Sequence, residues 1–286
     1  MKFARIAAVT GANKGIGYAI VRNIALKYSK SPLNTGPLLI YLTARNKSRG
    51  ENAVASIMED AELRNALVQH GGLTEVKFHP LDITNQSSID GFVSFLKRNH
   101  PDGIDVVINN AGILRDDFDL HTVKDTLASN YYGTLNATKA LLPIIREHGR
   151  LVNMSSLMAR LSLYPDTIAT KFRTATSIAE VNSLVEEYVS AVAGGRHERD
   201  GWPNSSYAVS KAGVTSITKV FAAEERAKHS SVLINSCCPG YVATDLTKGA
   251  GWRKPDHGAK TPVMLALEDI GGRSGKFWQN GRVRNW

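Results

Sequence analysis

Thr10-Gly11-Ala12-Asn13-Lys14-Gly15-Ile16-Gly17 decides the reading of this chain. It follows the apolar segment Arg5 to Thr10 and leads into an amphipathic stretch from Gly17 to Tyr28. Glycines between a buried strand and a helix let the backbone turn tightly. They also let an anionic group approach the helix amino terminus, where unpaired N–H groups and the helix dipole attract it. The spacing is Gly-x-x-x-Gly-x-Gly, not the Gly-x-Gly-x-x-Gly of the most familiar dinucleotide fingerprint. Taken alone, the loop could be an ordinary strand-to-helix turn.

Working outward, short β-branched segments alternate with longer helical patterns almost to the end of the chain. That alternation predicts an α/β fold: a Rossmann-type, doubly wound parallel sheet with helices on both faces. The segments read as seven strands: 5–10, 38–44, 75–80, 106–109, 150–155, 233–238 and 275–278. Ser87 to Asn99 is a further amphipathic helix. Ser29 to Pro37 is rich in turn formers and lengthens the first connection. The stretch 157–201 looks like a helical insertion. Within it Ser177-Ile178-Ala179-Glu180 resembles a capping box, followed by Ile178, Val181, Val185, Tyr188 and Val192 near one helical face.

The 286 residues suit one large domain, 1–286. Charged residues make up 21% and the hydrophobic group 43%, the balance of a folded globular protein. No apolar run approaches the roughly 20 residues of a membrane span. In residues 1–10, Arg5 interrupts the apolar run, which favours a buried strand over a signal peptide and makes the cytoplasm the expected location. The two cysteines, Cys237 and Cys238, are adjacent, so an ordinary disulfide between them is not expected. The net charge of +9 is dispersed, with no Arg/Lys stripe interleaved with aromatics, which argues against nucleic acid as a partner. A basic balance also suits a ligand carrying several phosphates.

At the end of the second strand, Leu42-Thr43-Ala44-Arg45 puts a guanidinium where NAD-binding sites carry a carboxylate. Arg45 can pair with a ribose 2′-phosphate, and Lys14 can add a second charge, so the expected cofactor is NADP(H). No metal site is expected.

With Asn109-Asn110-Ala111-Gly112 after the fourth strand and Tyr207-Ala208-Val209-Ser210-Lys211, the whole chain resembles the short-chain dehydrogenase/reductases. Thr43-Ala44-Arg45, Gly201-Trp202-Pro203, Cys237-Cys238-Pro239-Gly240 and the closing Arg282-Val283-Arg284-Asn285-Trp286 make it similar to the monomeric NADPH carbonyl reductases within that family. The resemblance implies reduction of a ketone, aldehyde or quinone, a small-molecule carbonyl substrate. Tyr207 would be the proton donor, Lys211 and Ser156 its partners, and Asn130 the fourth member, holding a water on the proton path.

The chemistry asks for these groups independently. The carbonyl oxygen needs an acid, and Lys211, one helical turn beyond Tyr207, should draw the phenol pKa down from about 10. A serine hydroxyl can stabilise negative charge on that oxygen. Strand alternation sends Ser155 and Ser156 to opposite sides, and the family pattern favours Ser156. The resemblance further implies cofactor contacts from Gly11, Asn13, Gly15, Ile16, Gly17, Asp82, Ile83, Asn109, Ala111, Gly112, Pro239, Gly240, Val242 and Thr244.

Met158, Trp202 and Tyr241 match or neighbour substrate-pocket positions, although Met158 reads equally well as core filler. Tyr241 stands where the nearest relatives carry tryptophan. Ser156 and Tyr207 are 51 positions apart, far more than in most of the family, because of the insertion. Its helices would cover the surface that relatives use to pair, so a monomer is expected. Two alternatives stay open: a ketoreductase or alcohol dehydrogenase dedicated to one secondary metabolite, and a non-catalytic NADPH-binding regulator.

Overall fold

The computed structural model describes residues 2–286; Met1, part of the amino-terminal reading above, lies outside them. Eight strands form one sheet: β1 (Arg5–Val9), β2 (Leu38–Ala44), β3 (Thr74–Pro80), β4 (Ile104–Asn109), β5 (Ile145–Met154), β6 (Leu233–Cys238), β7 (Phe277–Gln279) and β8 (Arg282–Arg284). Their order is 3-2-1-4-5-6-7-8, parallel throughout except that β8 runs antiparallel to β7. Between β1 and β4 the strand order reverses, which leaves a crevice beyond the carboxyl ends of these two strands.

The central strands bury both faces, as a parallel sheet between helices requires. In β1 the alternation is visible residue by residue. Ile6 and Ala8 join one apolar cluster with Leu39, Tyr41, Val107 and Leu151, while Ala7 and Val9 join a second with Leu38, Ile40, Val106 and Val152. The first cluster is roofed by α3 (Gln86–Asn99), α4 (Leu120–Leu127), α5 (Thr134–Leu141) and α8 (Ser206–Ala227). The second is roofed by α1 (Gly15–Tyr28), α2 (Lys47–Glu59) and α9 (Pro255–Leu267).

Seven strands were expected and eight are present. All three residues of β8 are exposed, so the strand has no apolar alternation to announce it. Its signal lies in the turn instead. Asn280 and Gly281 join β7 to β8 with φ of 51° and 71°, the two positive values that a two-residue hairpin demands and that Asn-Gly supplies. The strand β5 also starts earlier than expected, at Ile145, because the polar run Arg146-Glu147-His148 carries no burial pattern.

The insertion consists of two single 3₁₀ turns, then α6 (Asp166–Thr174) and α7 (Ile178–Ala193). Ser177 caps α7 by accepting from the Glu180 N–H, and Val181, Val185 and Tyr188 are buried. These helices pack on α8 and α4. Trp202, expected at the substrate pocket, belongs to this packing. It is 3% exposed, with its ring 5.4 Å from that of Tyr188 and just over 6 Å from those of Tyr164 and Phe172. Its indole has the volume to close the gap between insertion and body, so it serves as core and does not face a ligand. No described helix is long and apolar enough to cross a membrane.

Candidate active site

The cleft begins at Arg45 and the glycine loop and ends at Tyr207 and Lys211. Residues after β4 brace the loop. The Thr10 hydroxyl accepts from the N–H groups of Asn110 and Ala111, both at 3.0 Å, and the Asn110 amide donates back to the carbonyls of Thr10 and Gly11. Gly11 sits at φ +61°, where a side chain is strained. A β-carbon on Gly17 would lie 2.5 Å from both the Asn110 amide nitrogen and the Gly11 carbonyl. The loop therefore holds a close backbone cradle. Lys14, at the start of α1, supplies no side-chain cap, unlike Asn46, Asn85, Asp119, Ser177 and Ser205 on other helices. The first N–H groups of α1 are left for an anion.

Arg45 is exposed at the rim of the cleft, in none of the ion pairs among the described residues. Lys14 pairs with Asp245 at 2.5 Å across the cleft mouth, which holds the Asp245 carboxyl below its usual range. Both partners are well exposed, so an incoming phosphate can displace this pair at little cost. Uncapped helix, cradle and cations together fit a phosphorylated dinucleotide. Asp82 and Ile83 also line the cleft. So do Asn13, Gly15, Ile16, Ala111, Gly112, Pro239 and Thr244.

Three expected contacts are not lining residues. Asn109 is 2% exposed and its amide donates to Thr138 and Asn153 inside the core. Strand alternation turns its neighbour Asn110 to the cleft instead. Val242 is buried against Gly258 and pairs with Arg253, and Gly240 sits behind Pro239, where a β-carbon would strike the Arg253 guanidinium. Asn110, Ser129, Asp245 and Leu246 line the cleft without having been singled out in the sequence. The same parity that buries Asn109 would have found Asn110.

At the inner end, Tyr207 stands one residue into α8, where the Ser205 hydroxyl caps the helix. The Ser156 hydroxyl accepts from the Met158 N–H at 3.1 Å and adjoins the phenol closely enough to oppose the rise of its pKa. Ser155 turns the other way, to Thr215 and the Lys211 carbonyl. Lys211 is buried, with its ammonium donating to the Met154 carbonyl at 2.8 Å and lying 5.6 Å from the centre of the Tyr207 ring.

The electrostatics differ from the expectation that Lys211 draws the phenol down. Burial pushes Tyr207 up to about 12, with Cys238 adding to the rise and the adjoining Ser156 hydroxyl opposing it. Burial pushes Lys211 down to about 8. At neutral pH the phenol is therefore fully protonated, a loaded acid, beside a lysine close to its titration point. Cys238 accepts from the N–H groups of Leu157 and Gly240, and burial raises both cysteine thiols, which keeps them unreactive at neutral pH.

Asn130 lies in a single π-helical turn, Ala128–Gly133, between α4 and α5. Its amide clasps the main chain of Ile113, accepting from the N–H at 2.7 Å and donating to the carbonyl at 2.8 Å. Such a widened turn is a common device for aiming one side chain at a site. A β-carbon on Gly112 would sit 3.0 Å from the Asn130 carbonyl oxygen and 3.6 Å from the Lys211 nitrogen. Gly112 thus keeps a side chain out of the space between the two. Gly112→Ala should preserve the fold and NADPH binding while lowering kcat by about tenfold, roughly 1.4 kcal/mol of barrier. Steady-state kinetics beside a cofactor titration checks this.

Leu157 and Met158, next to Ser156 in the chain, and Tyr241 and Trp252, which follow Pro239, are exposed. Met158 is therefore not core filler. Trp252, unremarked in the sequence, is 78% exposed and meets Tyr241 edge-on at 5.2 Å. It restores aromatic surface where Tyr241 is smaller than tryptophan.

The family model described as short chain dehydrogenase matches residues 5–167 and 188–254. The gap falls on the insertion. The chain is 37% identical to NADPH carbonyl reductase 1 of Mus musculus, over 98% of each chain. It is 38% identical to NADPH carbonyl reductase 3 of Rattus norvegicus, over 99% of each. Among solved structures, salutaridine reductase from Papaver somniferum superposes with a TM-score of 0.81 at 24% identity, covering 96% of this chain and 99% of that one. Menthone neomenthol reductase from Mentha piperita gives 0.76, also at 24%, covering 96% and 98%. These two likenesses speak for the fold.

Proposed function

Because the chain belongs to the short chain dehydrogenase family, we propose that it reduces the carbonyl group of a small ketone, aldehyde or quinone with NADPH, as a single catalytic domain. The observation that carries this reading is Tyr207 beside Lys211 at the inner end of a cleft whose outer end presents the unpaired Arg45, with Ser156 adjoining the phenol although it is not itself a lining residue. The names of the relatives, which state both NADPH and carbonyl reduction, support it.

Arg45 and Lys14 would hold the 2′-phosphate, the α1 amino terminus and its glycine cradle the pyrophosphate, and Lys211 the sugar next to the nicotinamide. Bound there, NADPH supplies the hydride. The chain supplies the rest. Ser156 and Tyr207 both bond the substrate oxygen, fixing the carbonyl for attack and stabilising the charge that builds on it. The Tyr207 hydroxyl gives its proton to that oxygen. Lys211, charged, stabilises the phenolate left behind, and Asn130 with the gap above Gly112 offers the route by which the proton is replaced. Leu157, Met158, Tyr241 and Trp252 would shelter the apolar body of the substrate.

A panel of quinones, aldehydes and ketones, followed by loss of nicotinamide absorbance, tests the proposal. Tight NADPH binding without turnover of any member would overturn it. Removing Arg45 or Lys14 as alanine should raise KM for NADPH by about 10- to 100-fold each, the worth of one charge-assisted bond, and leave KM for NADH unchanged. We further propose a monomer, because α6 and α7 cover the outer face of α8 and α4. A cytoplasmic location fits the two free cysteines. Dispersed basic charge gives no reason to add nucleic acid to the partners.

A further inference from the structure

At the opposite end of the sheet from the cleft, a narrow cavity opens among the amino-terminal ends of β1, β2, β4 and β5. Its walls are mostly apolar, from Ala7, Ile24, Leu38, Val106, Ala266 and Leu267. Arg150 also lines it. This guanidinium is 8% exposed, its Nε has no hydrogen-bond partner, and none of the ion pairs among the described residues includes it. The only carboxylate inside the cavity, Asp105, is already engaged. It accepts from Arg5 at 2.8 Å, from the Ile6 N–H at 2.6 Å, and from Arg146. Asp269, whose charge acts on Arg150, is exposed and forms no ion pair with it.

A buried cation without a counter-charge is costly, and buried charges in folded proteins are ordinarily paired. Three arginines, Arg5, Arg146 and Arg150, face the one buried carboxylate of Asp105, and the exposed Asp269 acts on Arg150 without pairing with it, so the local charge stays positive. We propose that this cavity binds a small monovalent anion, chloride or a one- to two-carbon carboxylate, on the free edge of the Arg150 guanidinium. Size and charge both follow from the walls. The narrow cavity leaves room for only a few heavy atoms beside the guanidinium, and apolar sides penalise a doubly charged ion more than a single charge. Charge burial also favours occupancy: the guanidinium lies under desolvation that lowers its pKa, which an anion would relieve. The site adds stability to the folded chain and does not depend on the catalytic reading.

The thermal unfolding midpoint of the full chain, without cofactor, tests this at fixed pH and ionic strength, with sodium gluconate exchanged for chloride, formate, acetate or butyrate. Chloride or the two short carboxylates should raise the midpoint by about 3 °C at a tenfold excess over the dissociation constant. Gluconate and butyrate, too large, should not. A response to chloride alone, or to the carboxylates alone, identifies which source of the charge occupies the site. Arg150→Met should abolish the response, and Arg150→Lys should retain part of it. Equal midpoints in all salts, or the same response in Arg150→Met, would overturn the proposal. Should Arg150→Met fail to fold, wild-type crystals soaked in bromide and in formate decide: bromide or formate density beside the guanidinium supports the site, and the absence of both refutes it.

Discussion

Tyr207→Phe should lower kcat for carbonyl reduction by about 10²- to 10⁴-fold, the range that a positioned proton donor contributes, while NADPH binding persists. Phenylalanine fills the same volume beneath Ser156, and the Ser205 cap keeps α8 in place, so folding is not at issue. What is lost is the more acidic of the two hydroxyls at the substrate oxygen, the phenol, which burial pushes up to about 12 and which is protonated at neutral pH. The Ser156 hydroxyl remains and can still polarise the carbonyl, which leaves residual turnover. Stopped-flow reduction beside a fluorescence titration of NADPH separates the two effects. Unchanged kcat would mean that the proton comes from elsewhere.

Lys211→Met should have opposite consequences for chemistry and for stability. Reduction should fall by about 10²-fold or more, because the phenolate that forms at Tyr207 loses its stabilising charge. The unliganded fold should gain stability. A lysine titrating at about 8 when folded and 10.5 when unfolded is less easily protonated in the native state. At pH 7 that difference disfavours folding by about 3 kcal/mol, and an apolar side chain removes it. Part is returned, about 1 kcal/mol, because the Met154 carbonyl loses its donor. The sign extends to pH. Between pH 8 and 10.5 the unfolded wild type binds the extra proton, so wild-type stability should rise with pH across that window, and the variant should lack the rise. Denaturant titrations at pH 7 and pH 10 check both statements.

The strand-loop-helix at Gly11 to Gly17, the parallel alternation and the Tyr207–Lys211 pair were legible because each is local: a run, a turn or one helical step. Parity along one strand separates Ser155 from Ser156, but the choice of Ser156 rests on the family resemblance, and it is Ser155 whose hydroxyl the structure turns to Thr215. Asn109 and Trp202 were misplaced because their environment is set by contacts far along the chain, with Thr138 and Asn153 for the first and the three rings of the insertion for the second. The pKa of Tyr207 moves up where the sequence led us to expect it down, because the desolvation of the phenol is a property of the assembled site. Trp252 escaped notice because nothing in its own stretch reveals that Arg253 pairs with Val242 and so brings the indole beside Tyr241.

The open sheet ends in β3 on one side and β8 on the other, and each border is ill suited to pairing with another chain. On β8, Arg282 and Arg284 are exposed on a strand only three residues long. On β3, Lys77 projects outward in an ion pair with Glu75, and Pro80 closes the strand with no N–H to offer. Charge, brevity and proline are the means by which natural sheets avoid edge-to-edge aggregation. The short terminal hairpin therefore does more than extend the sheet: it replaces the apolar border of β7, with Phe277 and Trp278, by a guanidinium-lined one that resists templating of fibrils or swapped dimers.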